Sequence, residues 1–207
     1  MRVRTESPAF LDGRGKGKVV STREIAGVLV RRPWMFQKEP THIAAADREY
    51  VAAEMNAFLL CWLASLRCPV LNRPTTTCLS GPLWSEQHWV HAAAGVGMQV
   101  RSLRVCVPAQ APAETWCDAP GAIQEVTVLD QHCFGATNEL VSGQVKLLAA
   151  VARVRFLSVR FTVGDGLPVF LSANPFPRLT GDVVLDSLRA ALVCEETKDA
   201  RWIGRPE

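Results

Sequence analysis

Two apolar segments near the C-terminus, separated by a glycine-rich turn, constrain the fold more than any other part of the chain. Residues 155–163 (RFLSVRFTV) and 167–179 (LPVFLSANPFPRL) are rich in β-branched and aromatic side chains. Between them lies Gly164-Asp165-Gly166, and an Asp-Gly step between two such runs is a strong hairpin signal. Proline cannot donate a ladder hydrogen bond, so the second strand has to end at Asn174-Pro175. The sequence therefore predicts two antiparallel strands.

The composition is that of a globular protein with one or two domains. The 207 residues include 48% hydrophobic and 21% charged residues, which is enough apolar material for a substantial core. The apolar runs are broken well before the roughly 18 residues that a membrane span needs, and the N-terminus lacks the apolar core of a signal peptide. We therefore expect no membrane partner.

Cysteine usage and net charge exclude several classes of function. The seven cysteines form an odd set without a C-x-x-C pair, which argues against a disulfide framework, a zinc ribbon or a thioredoxin-like site. A reducing cytoplasm is therefore the expected location. The net charge of +3 is too small to indicate a nucleic acid partner, and no Lys/Arg run alternates with aromatic residues.

The most periodic stretch of the chain runs from Thr41 or Asp47 to Leu66. Its apolar residues recur at spacings of three and four, which predicts a helix. This helix is expected to stop before Pro69, because the residue before a proline disfavours helical conformation. Further helices are predicted from an N-cap at Ser85 to Gly95, and over residues 138–153 and 182–194. Residues 68–74 are predicted to form a short strand and turn, and further strands are predicted at residues 27–30 and 98–107. Residues 123–129 and 132–136 are predicted to form a hairpin-like pair around Asp130-Gln131.

This order of elements predicts an α/β (α+β) protein in two lobes. Residues 1–107 are expected to form a small sheet covered by the long helix. Residues 108–122 are rich in proline and alanine and are expected to form a linker. Residues 123–207 are expected to form an antiparallel sheet with two helices.

Several short segments resemble the ATP-grasp carboxylate–amine ligases of the RimK-like and graspetide (microviridin-type) kind. Arg31-Arg32-Pro33 is similar to the family's strand end "v-w-y-R-R-p", and Asn72-Arg73-Pro74 is similar to "w-i-N-h-P". Residues 159–161 and 170–175 are similar to "a-i-D-f-r" and "v-f-L-E-v-N-p-f-P" in the last strands of the family's sheet. The resemblance implies a pre-ATP-grasp-like N-terminal lobe and a C-terminal ATP-grasp lobe.

The same resemblance implies where a metal site once lay. It places Arg160 on the family's metal-binding Asp, Ser172 on its Glu and Asn174 on its Asn, so that only the Asn survives. We therefore expect no metal and no nucleotide cofactor. If the three side chains converge, the site is expected to prefer a carboxylate or phosphate. The alternative is that Arg160 is solvated, or paired with Glu125 or Asp165.

The resemblance also implies further anion contacts and the absence of one subdomain of the ligase family. Arg31, Arg32, Asn72 and Arg73 are candidate anion contacts. In the ligase family a nucleotide-clamping subdomain, with two phosphate-contacting lysines, occupies the place where this chain has only residues 108–121. We therefore expect a truncated and degenerate relative, with an exposed apolar surface where the subdomain would have packed.

Three hypotheses about function remain open. The first is a non-catalytic accessory factor of natural-product biosynthesis that binds a protein or peptide partner, or a copy of itself in a homo-oligomer. The second is an ATP-dependent peptide ligase completed by a partner chain. The third is an enzyme of different chemistry on the same scaffold, using Cys133 beside His132 or Arg160 as an anion clamp. Neighbouring strand residues point to opposite faces, so His132 is poorly placed to activate Cys133. The first hypothesis accounts best for the replaced residues, and it assigns no catalytic residue.

Overall fold

The computed structural model describes residues 9–11, 17–19, 22–101, 122–135, 138–163, 166–179 and 181–193. Within these residues the helices are α1 (Arg48–Ser65), α2 (Glu86–Gly95), α3 (Glu139–Val151) and α4 (Asp182–Val193). The strands of the N-terminal half are β1 (Ala9–Leu11), β2 (Gly17–Val19), β3 (Val28–Leu29), β4 (Val70–Leu71) and β5 (Gln99–Val100). The remaining strands are β6 (Ala122–Leu129), β7 (His132–Phe134), β8 (Phe156–Val163) and β9 (Val169–Asn174).

A five-stranded mixed sheet forms the centre of the molecule, with the strand order β5-β9-β8-β6-β7. Strand β5 runs parallel to β9, and all other neighbours are antiparallel. The two predicted hairpins, β6–β7 and β8–β9, are therefore confirmed as antiparallel pairs. The tip of the second hairpin, Gly164-Asp165, and the predicted linker lie outside the described residues.

The largest core lies on one face of this sheet, under α2 and α3. It combines Val128, Val159 and Phe170 of the sheet with Trp89 of α2 and Val145 of α3. Helix α2 and strand β5 belong to the predicted N-terminal lobe, yet their side chains complete the core of the C-terminal sheet. The core thus extends across the lobe boundary that the sequence predicted.

The small predicted N-terminal sheet is present as a parallel pair, β3–β4, which packs against α1. Helix α1 begins at Arg48 with Asp47 as N-cap, which was one of the two predicted starts. Only Ala52 and Leu63 of this helix are buried. Many of its apolar residues therefore remain partly or fully exposed, and none of the described helices is long and apolar enough to cross a membrane.

Asn72 joins the small sheet to the large one. It follows β4 directly, is 2% exposed and has a φ of 54°, a left-handed conformation that asparagine tolerates better than most residues. Its Nδ2 donates to the carbonyls of Phe156 (2.6 Å) and Pro175 (2.9 Å). Its Oδ1 accepts from the N–H groups of Arg155 (3.0 Å) and Phe156 (2.9 Å). One side chain thus fixes the start of β8 and the exit of β9.

Replacing Asn72 with Ala is expected to destabilise the protein by about 3 kcal/mol or more, because it strands two carbonyls and two N–H groups that the amide now satisfies. Urea denaturation followed by circular dichroism measures the change. Asn174→Ala is the matched control, since that amide is exposed and, among the described residues, bonds only to Phe176, and a loss below about 1 kcal/mol is expected there. Equal losses in the two variants would contradict this role for Asn72.

Candidate functional site

The residues predicted for the former metal site lie on the face of the five-stranded sheet opposite the α2/α3 core. Arg160 of β8 lies directly opposite Ser172 of β9 on one side and Glu125 of β6 on the other. Asn174 lies opposite Ser158, two residues along the same face of β8. Since directly opposed residues share a face of the sheet, Glu125, Arg160 and Ser172 form a cross-strand row, with Asn174 at its edge.

A β-bulge places Ser172 and Asn174 on this face. Ser172 lies opposite Arg160, but Phe170 rather than Leu171 lies opposite the next residue of β8, so Leu171 has no partner in the register. Phe170 is fully buried in the core on the other face. Strict alternation from Phe170 would turn Ser172 and Asn174 toward that core as well. The one-residue insertion instead moves both polar side chains to the side of Arg160.

Arg160 is exposed, and it is flanked along β8 by two buried hydroxyl residues of the same face, Ser158 and Thr162. The ion pairs of the described residues are Arg32–Glu39, Arg101–Glu86, Arg155–Asp130 and Arg189–Asp186. Arg160 is in none of them, although Glu125 lies beside it. The predicted alternative partner Asp165 lies outside the described residues. Within the described chain, the guanidinium of Arg160 therefore faces solvent with its donors available.

The side-chain amide of Asn174 forms hydrogen bonds with the main chain two residues later. Its Oδ1 accepts from the N–H of Phe176 at 2.9 Å, and its Nδ2 donates to the carbonyl of Phe176 at 3.2 Å. This side-chain turn redirects the chain at Asn174-Pro175, where the second strand was predicted to end. The amide thus has less capacity left for a ligand than Arg160 or Ser172.

The donor set does not fit a magnesium ion. Magnesium is held by oxygen ligands, usually one or two carboxylates together with substrate phosphates. The row offers one carboxylate, from Glu125, and a guanidinium beside it. Among the described residues, no three His, Cys, Asp or Glu side chains cluster closely enough to hold a metal ion. We therefore assign no metal-dependent step to these residues.

Three of the other candidate anion contacts have structural partners. Asn72 has both amide hydrogens bound to main-chain carbonyls, so an anion would have to displace one of these bonds. Arg31 donates to the carbonyl of Pro177, and Arg32 is paired with Glu39. Arg73 is exposed, and its charge lowers the pKa of Cys68 less than burial raises it.

Cys133 and His132 do not form a catalytic pair. Cys133 packs against the α2/α3 core, and its Sγ lies 3.7 Å from the carbonyl of Ser142. Burial raises the pKa of this thiol more than the charge of Lys146 lowers it, so the reactive thiolate is disfavoured. His132 is exposed and, by the alternation of β7, points to the other face.

Sequence reasoning missed the bulge, although the sequence contains a signal for it. Phe170, Ser172 and Asn174 have the same parity along β9, and a regular strand would bury all three or expose all three. An aromatic core residue in phase with two polar residues therefore indicates an inserted residue between them. Leu171 is that residue.

No protein-family model and no curated protein matches the chain. Among solved structures, the macrocyclase MdnC from Microcystis aeruginosa MRC, bound with its precursor peptide MdnA, is similar with a TM-score of 0.57 and 14% sequence identity. The match covers 85% of this chain and 80% of that chain. The ATP-grasp ligase PsnB, complexed with a minimal precursor, is similar with a TM-score of 0.57 and 17% identity, over 92% of this chain and 87% of that chain. The chain thus has an ATP-grasp-like α/β fold, as its motifs predicted.

Proposed function

We propose that this protein is a non-catalytic relative of the ATP-grasp ligases, which binds a peptide or protein partner in natural-product biosynthesis and does not use nucleotide. The observation that carries the proposal is the row Glu125–Arg160–Ser172 on the face of the sheet opposite the α2/α3 core, where Arg160 is exposed. The resemblance to the ligases implies two carboxylates at the positions of Arg160 and Ser172. A single guanidinium and a hydroxyl stand there instead.

The charge of Arg160 opposes a magnesium–nucleotide complex. Two unit charges 4 Å apart interact by about 1 kcal/mol in bulk water and about 4 kcal/mol near a protein surface. A divalent cation at that distance from the guanidinium is therefore opposed by about 2 to 8 kcal/mol, and the single carboxylate of Glu125 offsets only part of this. A carboxylate or phosphate group at the same place is attracted and meets a forked donor.

The chain between β5 and β6 supports the same conclusion. Only residues 101–121 connect these two strands. Segments of that length are too short to bury a core of their own, since domains below about 40 residues usually need disulfides or metals to fold. A separate nucleotide-clamping subdomain therefore has no room at this point of the chain.

Peptide binding is the part of the ligase function that this fold can retain. The similar structures of MdnC and PsnB were both determined with a precursor bound. Arg160 and Ser172 offer the donors for a carboxylate side chain of such a peptide. The other two hypotheses have less support, since a partner chain that supplied lysines would still meet Arg160, and Cys133 is a partly buried thiol with a raised pKa.

The replaced charges can be restored by the double change Arg160→Asp with Ser172→Glu. We expect the double variant to bind Mn²⁺ at least tenfold more tightly than the wild type, measured by electron paramagnetic resonance of the free ion. Ligase activity is still expected to be absent, because the connection between β5 and β6 is too short to carry a lysine-bearing subdomain. The matched control, Arg67→Asp with Ser65→Glu, makes the same charge change at two exposed residues at the end of α1 and should bind no better than the wild type. Equal Mn²⁺ affinity of the double variant and this control would count against the site.

The row Glu125–Arg160–Ser172 of the wild-type protein is expected to bind anions through the positive charge of Arg160. Pyrophosphate binding at low ionic strength, measured by calorimetry, should weaken at least fivefold in Arg160→Ala and should also weaken with added salt. Arg189→Ala removes an equally exposed charge elsewhere and should change the affinity less than twofold. Unchanged affinity in Arg160→Ala would show that the row does not bind the anion.

A further inference from the structure

An open apolar groove lies on the small N-terminal sheet, away from the row of Arg160. Its volume is about 780 Å³. The β3 side contributes Val28 and Val30, and α1 contributes Leu59, Trp62 and Leu63. Apolar side chains at such a surface gain free energy when a partner covers them.

One side of the groove is the free edge of β3. In the described residues, β3 pairs only with β4, and the N–H of Val28 donates to the carbonyl of Pro69 at 2.8 Å. Because main-chain groups alternate along a strand, those of Leu29 point to the opposite edge. A two-stranded sheet with an open edge accepts a further strand through main-chain hydrogen bonds. The backbone of Leu192 in α4 packs against Gly27, where an added Cβ would meet its carbonyl oxygen.

The wall formed by α1 extends the apolar surface beyond the groove. Met55 and Phe58 lie one turn before Leu59 and Trp62 at the spacing that places residues on one side of a helix. Met55 is 37% exposed and Phe58 is 55% exposed. Side chains on one face of an added strand would therefore find apolar contacts along α1.

Charge at the end of the groove distinguishes the occupant. Arg31 and Arg32 follow β3 and line the groove. Arg32 is neutralised by Glu39, whereas Arg31 donates to the neutral main-chain carbonyl of Pro177 and forms no ion pair with any described residue. The positive charge of Arg31 is thus available to a carboxylate that enters with the partner.

A second copy of this chain does not complement the groove. A twofold interface brings the same patch of each subunit together, so the patch has to be complementary to itself. Arg31 lines this patch, so a twofold interface brings the Arg31 charges of both copies into the same contact, where they repel each other. An acidic segment of another chain has the complementary charge.

We propose that this groove binds an extended peptide segment, which adds a strand to the edge of β3, packs apolar side chains on α1 and places a carboxylate beside Arg31. The inference deepens the proposed function, because it names where the partner peptide docks and what chemistry it has. It does not depend on the row of Arg160, so the two sites can be tested separately.

Selection from a phage-displayed library of random eight-residue peptides tests the docking site. We expect the wild type to enrich peptides with alternating apolar residues and an Asp or Glu at one end. In fluorescence anisotropy, Leu59→Asp should weaken an enriched peptide at least tenfold, while Tyr50→Asp should not, since Tyr50 is exposed on the opposite side of α1. Arg31→Gln should remove the preference for the acidic peptide over its amide analogue. If Leu59→Asp lowers the melting temperature of the protein too far for binding to be measured, Arg31→Gln still tests whether the peptide binds in the groove.

Backbone N-methylation tests strand addition itself. One set of alternate N-methyl groups on the enriched peptide should abolish binding and the complementary set should not, because only every second N–H faces β3. Equal effects of both sets, or no enrichment above an unrelated protein, would overturn the inference. A dimer in sedimentation that Leu59→Asp dissociates would overturn it in favour of a second copy. Magnesium-dependent ATP binding alongside peptide enrichment would contradict only the nucleotide-free function and would support the docking site.

Discussion

The four hydrogen bonds of the Asn72 amide join the small sheet to the large one. The small sheet ends at Asn72, β8 begins at its partner Phe156, and the chain leaves β9 at its partner Pro175. An apolar cluster of Leu71, Leu129, Phe156 and Leu188 packs beside these bonds, so the amide adds direction to a contact that apolar burial also stabilises. Because this amide is saturated, its contribution is to architecture, and a ligand would have to break an existing bond to use it.

The side chain at position 160 can change without a large cost to that architecture. Arg160 is exposed, whereas its neighbours along β8 are buried, with Leu157 and Val159 in the α2/α3 core and Phe156 in the cluster with Leu188 of α4. The buried residues on both faces of the strand stabilise the fold, while the exposed residue affects what can bind there. An ATP-grasp-like structure is therefore compatible with a guanidinium at this position.

Local patterns were sufficient to predict the helices and hairpins. The spacing of apolar residues located α1, and the Asp130-Gln131 and Asp165-Gly166 steps located two hairpins whose strands pair as expected. The role of Asn72 could not be predicted from local sequence, because its partners Phe156 and Pro175 lie 84 and 103 residues away. The packing of α2 could not be predicted from local sequence for the same reason. Its side chains complete a core that is otherwise formed mostly by the second half of the chain.

Calorimetric titration of the wild-type protein with ATP, in the presence and absence of Mg²⁺, tests the central claim most directly. The charge of Arg160 and the short connection between β5 and β6 predict that magnesium does not strengthen ATP binding, and that any weak binding of free ATP declines as magnesium neutralises its phosphates. Magnesium-dependent binding with micromolar affinity would contradict the account and would show that the chain is a nucleotide-binding ligase after all.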